Sequence, residues 1–284
     1  MAGPGRGAMT GDLRLGAALT AVMLALALAA PLLAPGDPSA LGPAGASLQP
    51  PGSEHLLGTD VLGRDVLGRL LHGGRVSLLV GWISMLVATA LGTGAGLVAA
   101  LAPRPLRAAA TTVIDLFLAF PALYLVLLLV AVSEPSLWLV VLVLSLTGWM
   151  HVARLVRMEA LALRDREFVA AARGLGLGPW QVAVRHILPN LLPTVLVAAA
   201  LRIGQAILVE SFLSFLGLGP QEPLVTWGGM IAQGRGYLLE GWWLTALPGV
   251  AIAVTVLGYN LLADGLRTRW LGDAAREEVA GGAR

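Results

Sequence analysis

Long apolar runs, separated by polar or proline- and glycine-rich stretches, dominate this chain. A membrane-crossing helix needs roughly 20 mostly apolar residues. Six segments meet that need: about 16–34, 76–101, 108–132, 137–156, 191–216 and 244–263. Segment 115–132 carries one charge, Asp115, which reads as an interfacial or packing residue; 137–150 carries none. The second segment contains Gly92, Gly94 and Gly96. Their spacing predicts close approach of a neighbouring helix, with a merely flexible helix as the alternative. The pattern predicts an all-α membrane protein with six transmembrane helices.

Arginine placement sets the sidedness. With the N-terminus inside, the inner segments hold Arg6, Arg14, Arg104, Arg107, Arg154, Arg157, Arg164, Arg166, Arg173, Arg185, Arg267, Arg269, Arg276 and Arg284. The outer segments hold Arg64, Arg69, Arg75 and Arg235. This positive-inside bias places both termini in the cytoplasm. Arg6 and Arg14 before an apolar run also fit a cleavable signal peptide. The run is at the long end for one, which favours a retained anchor.

Composition supports lipid as part of the solvent. Hydrophobic residues make up 57% and charged residues 13%, against about 25% charged in an ordinary soluble domain. Mean hydropathy is +0.79. These values exclude a disordered chain, a coiled coil and most soluble folds. There is no cysteine, so disulfides and thiolate chemistry are excluded. All 19 basic residues are arginine, which excludes P-loop and Schiff-base lysines. A net charge of +2 does not suggest a nucleic-acid partner. His55, His72, His151 and His186 are scattered and form no metal or haem spacing. No serine sits on a nucleophile turn. The chain is expected to be non-catalytic and to hold no metal.

Three connecting stretches are too long to be simple links. The outer stretch 35–75 begins as a proline-rich linker. It ends in apolar positions 62, 66, 67, 70 and 71 on one helical face, with Thr59 or Asp60 as a cap. That pattern predicts a short amphipathic helix on the membrane surface. The inner stretch 157–190 predicts a polar helix ended by Gly174, Gly176, Gly178 and Pro179. A second short helix over about 179–187 follows, with Pro189 and Pro193 punctuating the return to the membrane. Two such helices would offer a rigid knob to a soluble partner; a basic loop held by anionic lipid is the alternative. The outer stretch 217–243 reads as a folded or re-entrant loop, its tryptophans forming an interfacial belt.

The fifth span carries polar groups. Arg202 and Glu210 each cost about 2.5–3.5 kcal/mol near a helix centre, while each Leu, Ile, Val or Phe returns about 0.3–0.6 kcal/mol. The fourteen such residues of 191–216 do little more than offset the two charges. On a helical wheel Gln205 lies about 60° to one side of Arg202 and Glu210 about 80° to the other. All three fit one hemisphere facing the bundle or a wet path. They are candidate translocation-path residues; structural polar contacts, with Arg202 snorkelling, are the competing reading.

Several fragments together resemble one family. These are His55–Asp60 through Gly63-Arg64-Asp65-Val66, then Gly74–Leu78. Next come Leu163–Phe168 through Ala171-Ala172-Arg173, with Gly176 and Arg185–Asn190. Glu210–Gly219, Thr226-Trp227-Gly228 and Asn260–Arg267 complete the set. The chain resembles the membrane permease subunit of a binding-protein-dependent ABC importer of the dipeptide/oligopeptide/nickel type. The likeness covers about 55–270. It implies an N-terminal anchor and outer loop over 1–75, a permease domain over 76–270 and a cytoplasmic tail over 271–284. It also implies that a cytoplasmic coupling-helix loop between helices 4 and 5 docks on the ATPase. The residues carried over are Arg164, Asp165, Glu167, Phe168, Ala170, Ala171, Ala172, Arg173, Gly176, Arg185, His186 and Pro189. Ala170 stands where the family usually has glutamate, which removes one candidate ion pair with the ATPase.

The implied partners are a second homologous permease, two ABC ATPase subunits that bind ATP and Mg, an extracytoplasmic substrate-binding protein, and membrane lipids. No cofactor is expected on this chain, and the expected location is the inner (cytoplasmic) cell membrane. Peptides are the implied cargo; nickel or another small solute is the alternative. An ion-coupled secondary transporter would show internal repeats and midplane acidic groups; no clear repeat is present and intramembrane acids are few.

Overall fold

The computed structural model describes residues 6–43, 45–131 and 133–281. Among them the architecture is helical, without a named strand: α1 (Arg6–Leu33), α2 (Val66–Leu101), α3 (Arg104–Ala119), α4 (Ala122–Ala131), α5 (Leu137–Arg164), α6 (Glu167–Gly174), α7 (Pro179–Val182), α8 (Leu188–Phe215), α9 (Trp227–Gly234) and α10 (Trp243–Gly281). Five stretches are long and apolar enough to cross a membrane: Gly11–Leu33, Val66–Leu101, Leu137–Arg164, Pro179–Phe215 and Trp243–Trp270.

The third expected span, 108–132, is not one continuous helix. α3 ends at Ala119, Phe120 is extended (φ −85°, ψ 132°), and α4 begins after Pro121. A residue before proline is pushed out of the helical region, and proline has no N–H to continue the ladder. Apolarity made 108–132 look continuous; one proline divides it. Residue 132 lies outside the described residues.

α2 is longer than its apolar run. No separate surface helix forms over 59–71. Instead Gly58 to Asp65 makes tight turns, and Asp65 caps α2, its carboxylate accepting from Gly68 N at 2.8 Å. Thr59 and Asp60 therefore do not cap the helix. α5 likewise runs past residue 156 to Arg164. Pro189 and Pro193 do not interrupt the fifth span either, since helix runs from Pro179 to Phe215. A π-turn at Ala183–Ile187 immediately precedes Pro189, and such turns relieve the clash that proline makes with the preceding turn. The Asn190 amide donates to His186 O at 2.6 Å, occupying a carbonyl in this widened turn.

α2 and α5 form the most extensive helix pair. A Cβ on Gly92 would lie 2.5 Å from Trp149 O, and one on Gly96 2.6 Å from Ala153 O. These two glycines let the backbones touch, as their spacing predicts. Gly94 faces open space and has no part in it. α1 packs along α10, where a Cβ on Gly16 would overlap the backbone at Leu261 and Leu262. α10 continues without a break through the expected tail to Gly281; of the inner arginines, Arg284 lies outside the described residues.

Candidate functional site

Three features are built at three levels along α8. The first is a knob at its N-terminal end. α6 lies between the end of α5 and the start of α7. Val169, Ala172, Val182 and Ile187 are buried with Leu97 and Ala100 of α2, Val156 and Ala160 of α5, and Leu191 of α8. This apolar seat fixes the knob to three long helices. The other face is open: Glu167, Phe168, Ala170, Ala171 and Arg173 are exposed, as are Gly176, Arg185 and Pro189, and His186 is half-buried. Leu175 and Trp180 are 82% and 74% exposed, an apolar pair on a polar surface. Gly176 takes φ +85°, a left-handed conformation that glycine adopts without strain, and turns the chain from α6 to α7. Of the carried-over residues, Ala172 alone is fully buried; it seats the knob rather than presenting a contact. Arg164 Nε donates to Asp165 Oδ1 at 3.0 Å. That contact, with Arg173 adding a smaller effect, holds the exposed Asp165 carboxyl below its ordinary value.

The second feature is a cavity of about 450 Å³ between α2, α4, α5 and α8, lined by Ser84, Thr147, His151, Arg202, Gln205 and apolar neighbours. The structure brings Arg202 and Gln205 together here. Glu210 is elsewhere. The wheel places all three on related faces, but eight residues span about 12 Å of helix axis. Glu210 is fully buried one level along α8. Its carboxylate accepts from Ser214 Oγ at 2.7 Å, Ser77 Oγ at 3.1 Å and Ser211 Oγ at 3.4 Å. These bonds tie α8 to α2, and Ser77 Oγ in turn accepts from Trp227 N at 3.3 Å.

The third feature is a clasp at the α9 end. Arg64 and Arg69 are only 4% and 2% exposed, although both carry a charge. Arg64 Nε donates to Asp60 Oδ2 at 2.6 Å and Arg64 Nη1 to Glu222 Oε1 at 2.6 Å. Arg69 Nη2 donates to Gln233 Oε1 at 2.8 Å and Arg69 Nη1 to Pro38 O at 3.2 Å. The segments 35–75 and 217–243 are thereby one folded unit. The tryptophan belt is corrected in the same place. Trp227 and Trp243 are buried, their indole N–H groups donating to Leu70 O and Thr59 O; Trp242 remains 55% exposed. The clasp was missed because its partners are more than 150 residues apart. The available signal was charge inside the Gly58–Arg69 fragment.

Comparison with known proteins gives the family and the fold. The family model described as "Binding-protein-dependent transport system inner membrane component" matches residues 92–271. A protein of Brucella suis biovar 1 (strain 1330), described as "Putative peptide transport system permease protein", is 39% identical over 254 residues, covering 89% of this chain and 85% of that protein. DdpC of Escherichia coli K12, described as "Probable D,D-dipeptide transport system permease protein", is 38% identical, covering 88% and 84%. The dipeptide transport system permease protein DppC of Alkalihalophilus pseudofirmus is 36% identical, covering 85% and 79%. Among solved structures, an inward-facing MetNI methionine ABC transporter chain superposes with a TM-score of 0.59 at 18% identity, covering 70% of this chain and 95% of that chain. This likeness is one of fold.

Five helices long and apolar enough to span a membrane, together with the family match, make this a multi-pass membrane protein of a transport system. The chain belongs to the family of inner-membrane components of binding-protein-dependent transport systems.

Proposed function

We propose that this chain is a non-catalytic permease subunit of an ATP-driven ABC importer, and that its cargo is a di- or oligopeptide delivered by an extracytoplasmic binding protein. The observation that carries the peptide reading is the 36–39% identity to peptide and dipeptide permeases over 85–89% of the chain. In this reading α3 and α4 together make a sixth, interrupted crossing, both termini are cytoplasmic, and the chain resides in the inner membrane. A second homologous permease completes the pathway, and two ATPase subunits bind ATP and Mg. The α6 knob docks on one ATPase.

The seat of α6 supports its use as a lever. Closure of the ATPases displaces the knob; Val169 and Ala172 are buried against α2, α5 and α8, so the displacement passes to the spans that line the cavity. A flexible loop would absorb the same motion. Phe168, Glu167, Arg173 and the exposed Leu175 form the face offered to the ATPase. Ala170 lies on that face and supplies no charge, so docking here relies on its neighbours.

The test separates face from seat. Phe168→Ala is expected to weaken ATPase association and ATP-dependent peptide uptake while leaving the thermal stability of the permease unchanged. Val169→Asp, which buries a charge, is expected to lower stability and uptake together. ATPase association and uptake at wild-type levels after helix-breaking substitutions across 165–178 would refute the coupling assignment.

A further inference from the structure

The central cavity has an unbalanced charge. Arg202 lies 14 residues after Leu188 and 13 before Phe215, the middle of α8. Among the described residues, no ion pair or hydrogen bond involves Arg202. The described residues lining the cavity include Arg202 and His151 but no carboxylate. Glu210, the nearest acidic residue in α8, is engaged by three serine hydroxyls and is not part of the lining. A methyl group added at Gly148 would lie 3.6 Å from Arg202 Nη1, so the guanidinium reaches across the cavity to α5. Gln205, one turn on, exposes an amide to the same space.

We propose that Arg202 is a specificity-determining residue that reads a carboxylate on the cargo as it passes through this cavity. The inference rests on the cavity being part of the translocation path. A cation in a low-dielectric site, lacking an internal partner, projects a strong positive potential. Guanidinium pairs with carboxylate through two parallel N–H···O bonds, a geometry that few other groups match. The cavity volume falls within the roughly 300–1,000 Å³ of small-molecule sites. A peptide presents such a carboxylate at its C-terminus, and Gln205 is placed to accept or donate beside it. A bare divalent metal ion meets repulsion instead. The cavity thus favours a peptide over nickel by its own electrostatics, independently of the binding protein.

The absence of cysteine from the chain supplies the test. Gln205→Cys is introduced into the full transporter, with reactive partner thiols removed, in nanodiscs without nucleotide. The new thiol is labelled with an anionic sulfonatoethyl or a cationic trimethylammonioethyl methanethiosulfonate. Each rate is divided by that for a free thiol in solution. The anionic reagent is expected to be favoured by roughly tenfold or more, and adding Arg202→Gln is expected to bring the ratio to about one. A ratio near or below one in the Arg202 protein, a ratio unchanged by Arg202→Gln, or labelling by neither reagent overturns the proposal. The first of these is the result expected if a carboxylate of the second permease neutralises Arg202. Dialanine is expected to slow the labelling and dialanine amide at equal concentration is not; equal protection by both, or none, overturns the carboxylate assignment. If the wild-type transporter shows no ATP-dependent peptide uptake, the peptide reading fails on that separate measurement, while the labelling ratio still decides the charge of the cavity.

Discussion

Asp60→Ala is expected to destabilise the protein by about 3 kcal/mol, because it strips the shared counter-charge from two buried guanidinium groups. Asp60 is 6% exposed. Its carboxylate accepts from Arg64 Nε at 2.6 Å, Leu62 N at 2.8 Å and Arg64 N at 3.0 Å, and Arg69 Nε stands 3.5 Å away. Removing it leaves Arg64 and Arg69, each with a side chain 3% exposed, short of negative charge. They keep Glu222 and Gln233, which holds the loss at the lower end of the roughly 3–5 kcal/mol for broken buried pairs. Arg64→Ala should cost less, about 1–3 kcal/mol, because Asp60 retains Arg69 and both backbone donors. Glu222→Gln should cost at most about 1 kcal/mol, since its side chain is half exposed and screened. At about 2–4 °C per kcal/mol for a chain of this size, Asp60→Ala lowers the midpoint by roughly 6–12 °C. The assay is thermal loss of the monodisperse size-exclusion peak in detergent, with variants ranked against wild type. The Asp60→Leu/Arg64→Met double variant should be less damaging than the sum of its singles. A Glu222→Gln loss equal to that of Asp60→Ala, or strict additivity of the double variant, would refute the reasoning.

Gly96→Leu is expected to lower stability by about 1–3 kcal/mol through overpacking against Ala153 and Val156, whereas Gly94→Ala, into open space, should raise it by about 0.5–1 kcal/mol; the same thermal assay compares them. The carboxyl of Asp165 is held low mainly by its hydrogen bond from Arg164, so its contribution is present above the ordinary value of 3.8 and is lost as pH falls through the lowered folded value. Because Asp165 is fully exposed, Asp165→Asn should leave the thermal midpoint at pH 7 unchanged within error, and a clear drop would show the contact to be stronger than its exposure allows.

Apolar run length identified five long spans, and glycine spacing marked a face of α2 open to close helix approach, because both are set by the local chain; that the neighbour is α5 came from the structure. The same signal did not register the break within 108–132. Pro121 interrupts the backbone ladder without changing the hydrophobicity of the segment. The fifth span divides between its two readings. Angular position on a wheel put Arg202, Gln205 and Glu210 on related faces, but a wheel discards rise along the axis. The structure separates an open cavity holding Arg202 and Gln205 from a sealed cluster around Glu210.

The sequence alone determines that this is a helical membrane chain and, through the fragments around Arg173 and Gly217, the family it resembles. Periodicity, turn residues and short motifs act over a few residues and survive in one dimension. Tertiary structure decides which charges are buried, which are paired and which stand alone. Arg64 and Arg69 find partners contributed by residues more than 150 positions away, while Arg202, equally polar on paper, finds none among the described residues. Burial and pairing depend on distances through space, which folding sets and sequence separation does not record.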